Sequence, residues 1–376
     1  MFAVTLISTA FTGAVTFIGR SVAWEAGDTI LRLGSWSVTD AFLADSFTFA
    51  GGLIFFLTVH EFGHYVLARI HGVRTSLPYF IPAPLIGIGT LGAVINIREP
   101  IPTGRKLFDV GAAGPLAGFV IAILLLLWAL ATLPSPEFMY GVGGHEPLLQ
   151  YINVTGQFPE TPMSTQGTNL TVGSTLLYWG LTQFFADVPP MYEMYHYPLL
   201  FAAWLGLFFT AFNLMPVGQL DGGHITCALF GLKWHRRIAR TFVFILLTSM
   251  AVGGVRTLPS IVGDFVGQPF LVVTLTWFVI GALLALCTRR VWRRSWLPVM
   301  VSILVIASVS QAFPALLHEF GYFGWLPWCL VLVFLIKVDH PPVADLSPLS
   351  RTRRVLGVLS MLIFVLCFSL RPLYFS

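Results

Sequence analysis

The chain alternates between apolar runs long enough to cross a bilayer and short polar segments. A helix needs about 20 consecutive apolar residues to span hydrocarbon. Such stretches occupy 41–68, 107–133, 198–216, 238–256, 266–287, 295–316, 322–337 and 354–372, with a weaker, Thr-rich ninth at 1–19. The pattern predicts an all-α polytopic membrane protein, a helical bundle of about 8–9 transmembrane helices. Three blocks are expected: an N-terminal helix and linker (1–40), a core (41–235) that includes a polar outer loop at 134–197, and additional helices (236–376). The first stretch is read as a retained helix, because no basic residue precedes its apolar part and no small-x-small cleavage site follows it.

Two of the runs are broken. Between Arg74 and Arg98 lies SLPYFIPAPLIGIGTLGAVINI, too interrupted by Pro and Gly for one spanning helix, so it must dip in and return. Its last part, GTLGAVINI, is strand-like. Non-helical backbone at membrane depth is tolerated only where protein or a water-filled cavity satisfies it, which predicts a wet cavity beside the 41–68 helix. The second break is NLMPVGQLDGGH at 213–224, where Pro216, Gly218, Gly222 and Gly223 interrupt an apolar run.

Composition sharpens this picture. The chain is 56% apolar and 10% charged, against about 25% charged in soluble domains. Its net charge of +4 sits in short segments between apolar runs rather than along an exposed stripe, so nucleic acid is excluded as a partner. Those segments, at 68–74, 98–106, 233–240, 288–294 and 350–354, orient the chain with its basic loops in the cytoplasm. The 41–68 helix then runs from outside to inside. The surrounding partner is the lipid bilayer, expected to be a bacterial inner membrane. The four cysteines form no CxxC pair and are expected to be inert thiols.

Candidate chemistry concentrates at the two breaks and the helix beside them. In HEFGH, His60 and His64 are four residues apart and share one helical face, since each residue advances about 100°. Two imidazoles so placed can bind one zinc ion, and Glu61, about 100° round, can act on the zinc-activated water as general base. A catalytic zinc takes three protein ligands and keeps one open position. The best third ligand is Asp221, an acidic residue beside a broken helix, where a carboxylate is costly unless paired or metal-bound. Asn213 is a candidate hydrogen-bond donor to an oxyanion. His224, close behind Asp221, reads as a supporting polar residue. GPLAG at 114–118 reads as small-residue helix packing. A second near-copy, HEFGY at 318–322, carries Tyr322 where a second imidazole would be needed and reads as a solvated loop.

With HEFGH at 60–64, GTLGAVI at 89–95, DVGAAGPLAGF at 109–119 and NLMPVGQLDGG at 213–223 in this order, the chain resembles the site-2 protease family of intramembrane zinc metalloproteases. The last segment matches that family's N-x2-P-x4-D pattern, and the resemblance covers roughly 41–235. It implies that His60, His64 and Asp221 hold one zinc ion per chain, that Glu61 is the catalytic carboxylate, and that Asn213 assists substrate or transition state. Substrates would be membrane proteins with single transmembrane helices, cut in or near those helices in regulated intramembrane proteolysis. A helical substrate must first be unwound, and the GTLGAVINI strand could pair with it. That makes Gly89, Leu91, Gly92, Ala93 and Val94, together with Pro216, the expected substrate contacts. The short outer loop suits a branch without PDZ or nucleotide-sensing domains. The rival reading is a membrane transporter or metal carrier using His60, His64 and Asp221 as an ion site. It would need ionisable residues spread through several helices.

Overall fold

A computed structural model describes residues 1–18, 29–33, 36–84, 86–142, 145–163, 170–317 and 319–375. In chain order the elements are α1 (Phe2–Gly13), continued by a π turn at Ala14–Ile18, β1 (Thr29–Leu33), β2 (Trp36–Thr39), α2 (Asp40–Ile70), β3 (Tyr79–Pro82), β4 (Thr90–Val94), α3 (Gly104–Ala131), α4 (Glu146–Thr155), β5 (Leu170–Val172), α5 (Leu176–Thr182), α6 (Pro198–Asn213), α7 (Asp221–Gly263), α8 (Pro269–Val291), α9 (Trp296–Ala312), α10 (Pro314–Leu317), α11 (Trp325–Leu330), α12 (Arg351–Cys367) and β6 (Leu373–Phe375). The protein is mostly helical, and its strands form three two-stranded antiparallel sheets, β1–β2, β3–β4 and β5–β6.

Each of the nine apolar stretches overlaps a helix among the described residues. Among the described residues four helices, α2, α3, α7 and α8, are both long and apolar enough to cross a membrane. The helices at Phe2–Ile18, Pro198–Asn213, Trp296–Ala312 and Trp325–Ile336 are apolar but shorter, and α12 has 17 residues. Hydropathy continues past a helix end where the backbone does not. The run at 198–216 ends as helix at Asn213, because the segment leading to Pro216 cannot continue the hydrogen-bond ladder. The long α2 and α3 turn large apolar side chains outward, Phe55, Phe62 and Val66 on one and Val120, Leu124 and Trp128 on the other. Such faces belong against lipid. This is an integral membrane protein.

The chain divides into two compact units. The first comprises 1–101, 109–213 and 358–376. In it α2 is started by Thr39, whose side-chain oxygen accepts from the backbone N–H of Phe42 at 3.1 Å, with Asp40 in the first turn facing the positive end of the helix dipole. It stops at a glycine-closed end. Gly72 takes φ +70°, Val73 N–H donates to Ala68 O at 2.9 Å and Gly72 N–H to Arg69 O at 3.1 Å, while Val73 packs beside Ala68. Helix α6 lies against α2, with Phe49 stacked on Phe201 at 5.7 Å and a Cβ on Gly52 only 3.2 Å from that of Ala202. The interrupted segment after α2 folds as the β3–β4 hairpin, with Tyr79 opposite Val94 and Phe80 opposite Ala93. In the 134–197 segment, α4 and α5 are helices that the polar, Pro-rich sequence did not signal.

The second unit comprises 102–108 and 214–357, with α7, α8 and α9 packed on one another. Helix α7 is two helices meeting at Gly231, which has φ +76° and ψ 165°. The four cysteines are buried free thiols. Of the second near-copy of the motif, His318 lies outside the described residues.

Candidate metal centre and active site

His60, Glu61 and His64 sit in the C-terminal half of α2 and are all buried. The Nε2 atoms of the two imidazoles face each other at 3.2 Å. His64 Nδ1 lies 2.7 Å from Val110 O. A carbonyl can only accept, so Nδ1 carries the proton and Nε2 presents a lone pair, the tautomer a metal ligand needs. The Asn213 amide lies beside His60, Nδ2 to Nε2 at 3.3 Å. Two nitrogens held tetrahedrally about 2.0–2.1 Å from one zinc stand about 3.3 Å apart.

The helix opposite is shaped around these rings. A Cβ on Gly114 would lie 2.0 Å from His64 Nε2, and one on Gly118 would lie 3.0 Å from His60 Nδ1. On the other side, a Cβ on Gly63 would lie 2.6 Å from Ala113 O. The GPLAG segment therefore does more than pack helices, because its glycines make room for the imidazoles. Val110 and Gly114 are the positions that inspection of the sequence did not assign. The available signal was the run of small residues in DVGAAGPLAG, one helical turn after another.

Asn213 is the last residue of α6, and Asp221 is in the first turn of α7. The break between them is as predicted, but the roles of its glycines differ from expectation. Gly218 takes φ +53°, a conformation that favours glycine. Gly222 and Gly223 lie inside the helix instead. A Cβ on Gly222 would lie 1.9 Å from Leu214 O, and one on Gly223 would lie 2.3 Å from Gly218 O. They permit close approach rather than a turn, seating the start of α7 on the carbonyls of the segment around Pro216. Asp221 is not an N-cap, since that position is Leu220. His224 shares a hydrogen bond with His340, from Nδ1 to Nε2 at 2.8 Å, consistent with a supporting role. Of the substrate-contact candidates, Leu91, Gly92, Ala93 and Val94 fall on β4, Gly89 immediately before it and Pro216 in the second break: Leu91 and Val94 are exposed and Ala93 is buried, Gly89 and Gly92 take φ +83° and +98°, and Ser8 Oγ donates to Gly89 O at 2.7 Å.

Residues 48–253 match the model of the family described as peptidase family M50. The chain belongs to peptidase family M50. This is the site-2 protease family that the motifs resemble. Among curated proteins, the chain is 30% identical over 191 residues to a probable zinc metalloprotease EGY2, chloroplastic, of Oryza sativa subsp. indica, covering 50% of this chain and 30% of that protein. It is 30% identical over 216 residues to a probable zinc metalloprotease EGY1, chloroplastic, of Arabidopsis thaliana (56% and 34%), and 26% identical over 230 residues to a probable zinc metallopeptidase EGY3, chloroplastic, of the same plant (57% and 35%). The chain thus spans about a third of the length of the curated relatives it matches. No solved structure matches. For an M50 chain the cofactor is Zn2+, and His60 and His64 present two imidazole nitrogens 3.2 Å apart that can serve as ligands to it. Two neutral imidazoles and one carboxylate are a donor set suited to a catalytic zinc with an open fourth position.

Proposed function

We propose that this chain is an intramembrane zinc metalloprotease that hydrolyses peptide bonds in or next to the transmembrane segments of membrane-protein substrates. The carrying observation is the buried pair of imidazoles, Nε2 to Nε2 at 3.2 Å, with His64 fixed by Val110 O as a lone-pair donor. His60 and His64 supply two ligands and Asp221 the third. When bound, zinc supplies Lewis acidity to the attacking water and the scissile carbonyl. Glu61, adjacent to His60 and buried, takes the proton from the water and passes it to the leaving amine. The Asn213 amide, already beside His60 Nε2, donates a hydrogen bond to the developing oxyanion.

The substrate enters as an extended segment. Strand β4 pairs with β3 on one edge and with no strand on the other among the described residues, so an unwound substrate can add there as a further strand. Gly89, Leu91, Gly92, Ala93 and Val94 contact it along the strand, and Pro216 contacts it from the second break. Single-span membrane proteins are the fitting substrates, because one helix can be unwound without dismantling a bundle. The basic segments put the active site nearer the cytoplasmic face.

The test is cleavage of single-span membrane substrates by the purified chain and by its Glu61→Gln variant, each with and without a zinc chelator. The parent is expected to cut and the variant to lose activity by about 10²–10⁴-fold at unchanged zinc content. Equal cleavage by the two proteins, or cleavage that survives metal removal, would sink the proposal.

A further inference from the structure

A second cluster, far from the catalytic one along the fold, has the makings of a metal site. His145 stands immediately before α4, Glu193 and His196 lie in the short segment that leads into α6, and one ligand atom from each falls within 4.8 Å of the others. Glu193 is 6% exposed and His196 4%. Glu193 Oε2 is 3.4 Å from His145 Nε2 and 3.5 Å from His196 Nε2, and the two rings meet edge to face with centroids 4.7 Å apart.

Protonation is partly fixed by geometry. His196 Nδ1 lies 3.0 Å from Ile18 O, a carbonyl that only accepts, so Nδ1 holds the proton and Nε2 turns its lone pair towards Glu193. Both Glu193 Oε2 and His196 Nε2 are buried and have no hydrogen-bond partner among the described residues. Unpaired buried polar atoms of this kind are rare in a native structure and cost about 1–3 kcal/mol each. The competing account is a protonated Glu193 donating to a ring nitrogen. Burial does push Glu193 up to about 8 and His196 down to about 3. However, 3.4–3.5 Å is longer than such a bond, about 2.5–3.2 Å. It matches instead the roughly 3.3 Å between two ligands on one tetrahedral ion.

We propose that His145, Glu193 and His196 form a second divalent-metal site, suited to Zn2+ by its two imidazoles and one carboxylate. The ion would tie three separate stretches together: the start of α4, the lead into α6 and, through the His196–Ile18 bond, the end of the first helix. Helix α6 runs about 22 Å from this cluster to Asn213, too far for the ion to touch reacting atoms. The site is therefore a staple that holds α6 near its N-terminal end while Asn213 at the other end meets His60. No part of this depends on proteolysis.

The experiment is metal counting on the full chain in detergent micelles, equilibrated with Zn2+ and then freed of loose metal. The parent is expected to retain two equivalents, and a His60→Ala/His64→Ala variant to retain one. Adding His196→Ala, or separately His145→Gln, to that variant removes the remaining equivalent. His145 is partly exposed, so its replacement keeps the test usable where loss of His196 disturbs folding. Zn2+ should also raise the unfolding temperature of the His60→Ala/His64→Ala variant, and not after His145→Gln. One equivalent in the parent, or zinc retained after both outer histidines are replaced, overturns the second site while leaving the protease reading untouched.

Discussion

Single glycines carry much of the catalytic geometry. Gly114 is the sharpest case, because its missing Cβ leaves the space taken by the His64 ring, with 2.0 Å between the built Cβ and Nε2. Gly114→Ala must push that ring away from His60 or part α3 from α2. Overpacking of this sort costs about 1–3 kcal/mol, so zinc affinity should fall by about 10–100-fold, measured by competition with a chromogenic chelator. Gly118→Ala, at 3.0 Å from His60 Nδ1, should do less. Equal zinc affinity in Gly114→Ala and parent would show that the ring is not confined by α3. Gly222→Ala puts a Cβ 1.9 Å from Leu214 O, a backbone atom that cannot swing aside. It should lower the unfolding temperature by a few degrees and deplete zinc by displacing Asp221.

At the scale of elements, the sequence was most legible where local chemistry decides. The i, i+4 spacing of His60 and His64 places both rings on one face of any helix, and the segment of Pro216 and Gly218 lies between two helices, as its composition predicts. Thr39 and Gly72 end α2 for equally local reasons. Legibility failed where a contact joins distant segments. Nothing near Val110 says that its carbonyl will hold His64 Nδ1, and nothing near His145 says that it will meet Glu193 and His196. The β5–β6 pairing, which brings Leu373–Phe375 to Leu170–Val172, was hidden for the same reason. Strand β4 offers a test of its own. Gly92 has φ +98° with no atom within 4 Å of a built Cβ, so Gly92→Ala strains the backbone without a clash. Cleavage should fall several-fold with zinc content unchanged, since an L residue in the left-handed region costs about 1–2 kcal/mol. Unaltered cleavage would remove β4 from substrate binding.

On the scale of the whole molecule, hydropathy marked a membrane protein, and four of its apolar runs fold among the described residues as helices both long and apolar enough to span. An apolar window reports which residues avoid water, whereas the length of a helix is set by caps, prolines and the packing of its neighbours. Reversible metal dependence is the prediction proper to this scale. A zinc chelator should abolish cleavage, and restored Zn2+ should recover it, with the fraction of chains refilled at His60 and His64 setting the activity recovered. Activity that returns without that refilling would separate catalysis from these ligands.

From the sequence alone came the membrane class, the two-histidine face with its adjacent carboxylate, the broken segments that flank it, and the family to which those motifs point. All are properties of spacing and residue type within a few turns of chain. The tertiary structure alone decided which nitrogen of His64 carries the proton, which glycines clear space for the rings, how the 75–97 segment pairs as a hairpin, and that a second set of two histidines and a glutamate converges near the N-terminal end of α6. Each of these depends on which distant backbone comes within about 3 Å of a given side chain. Only the packed chain specifies such distances.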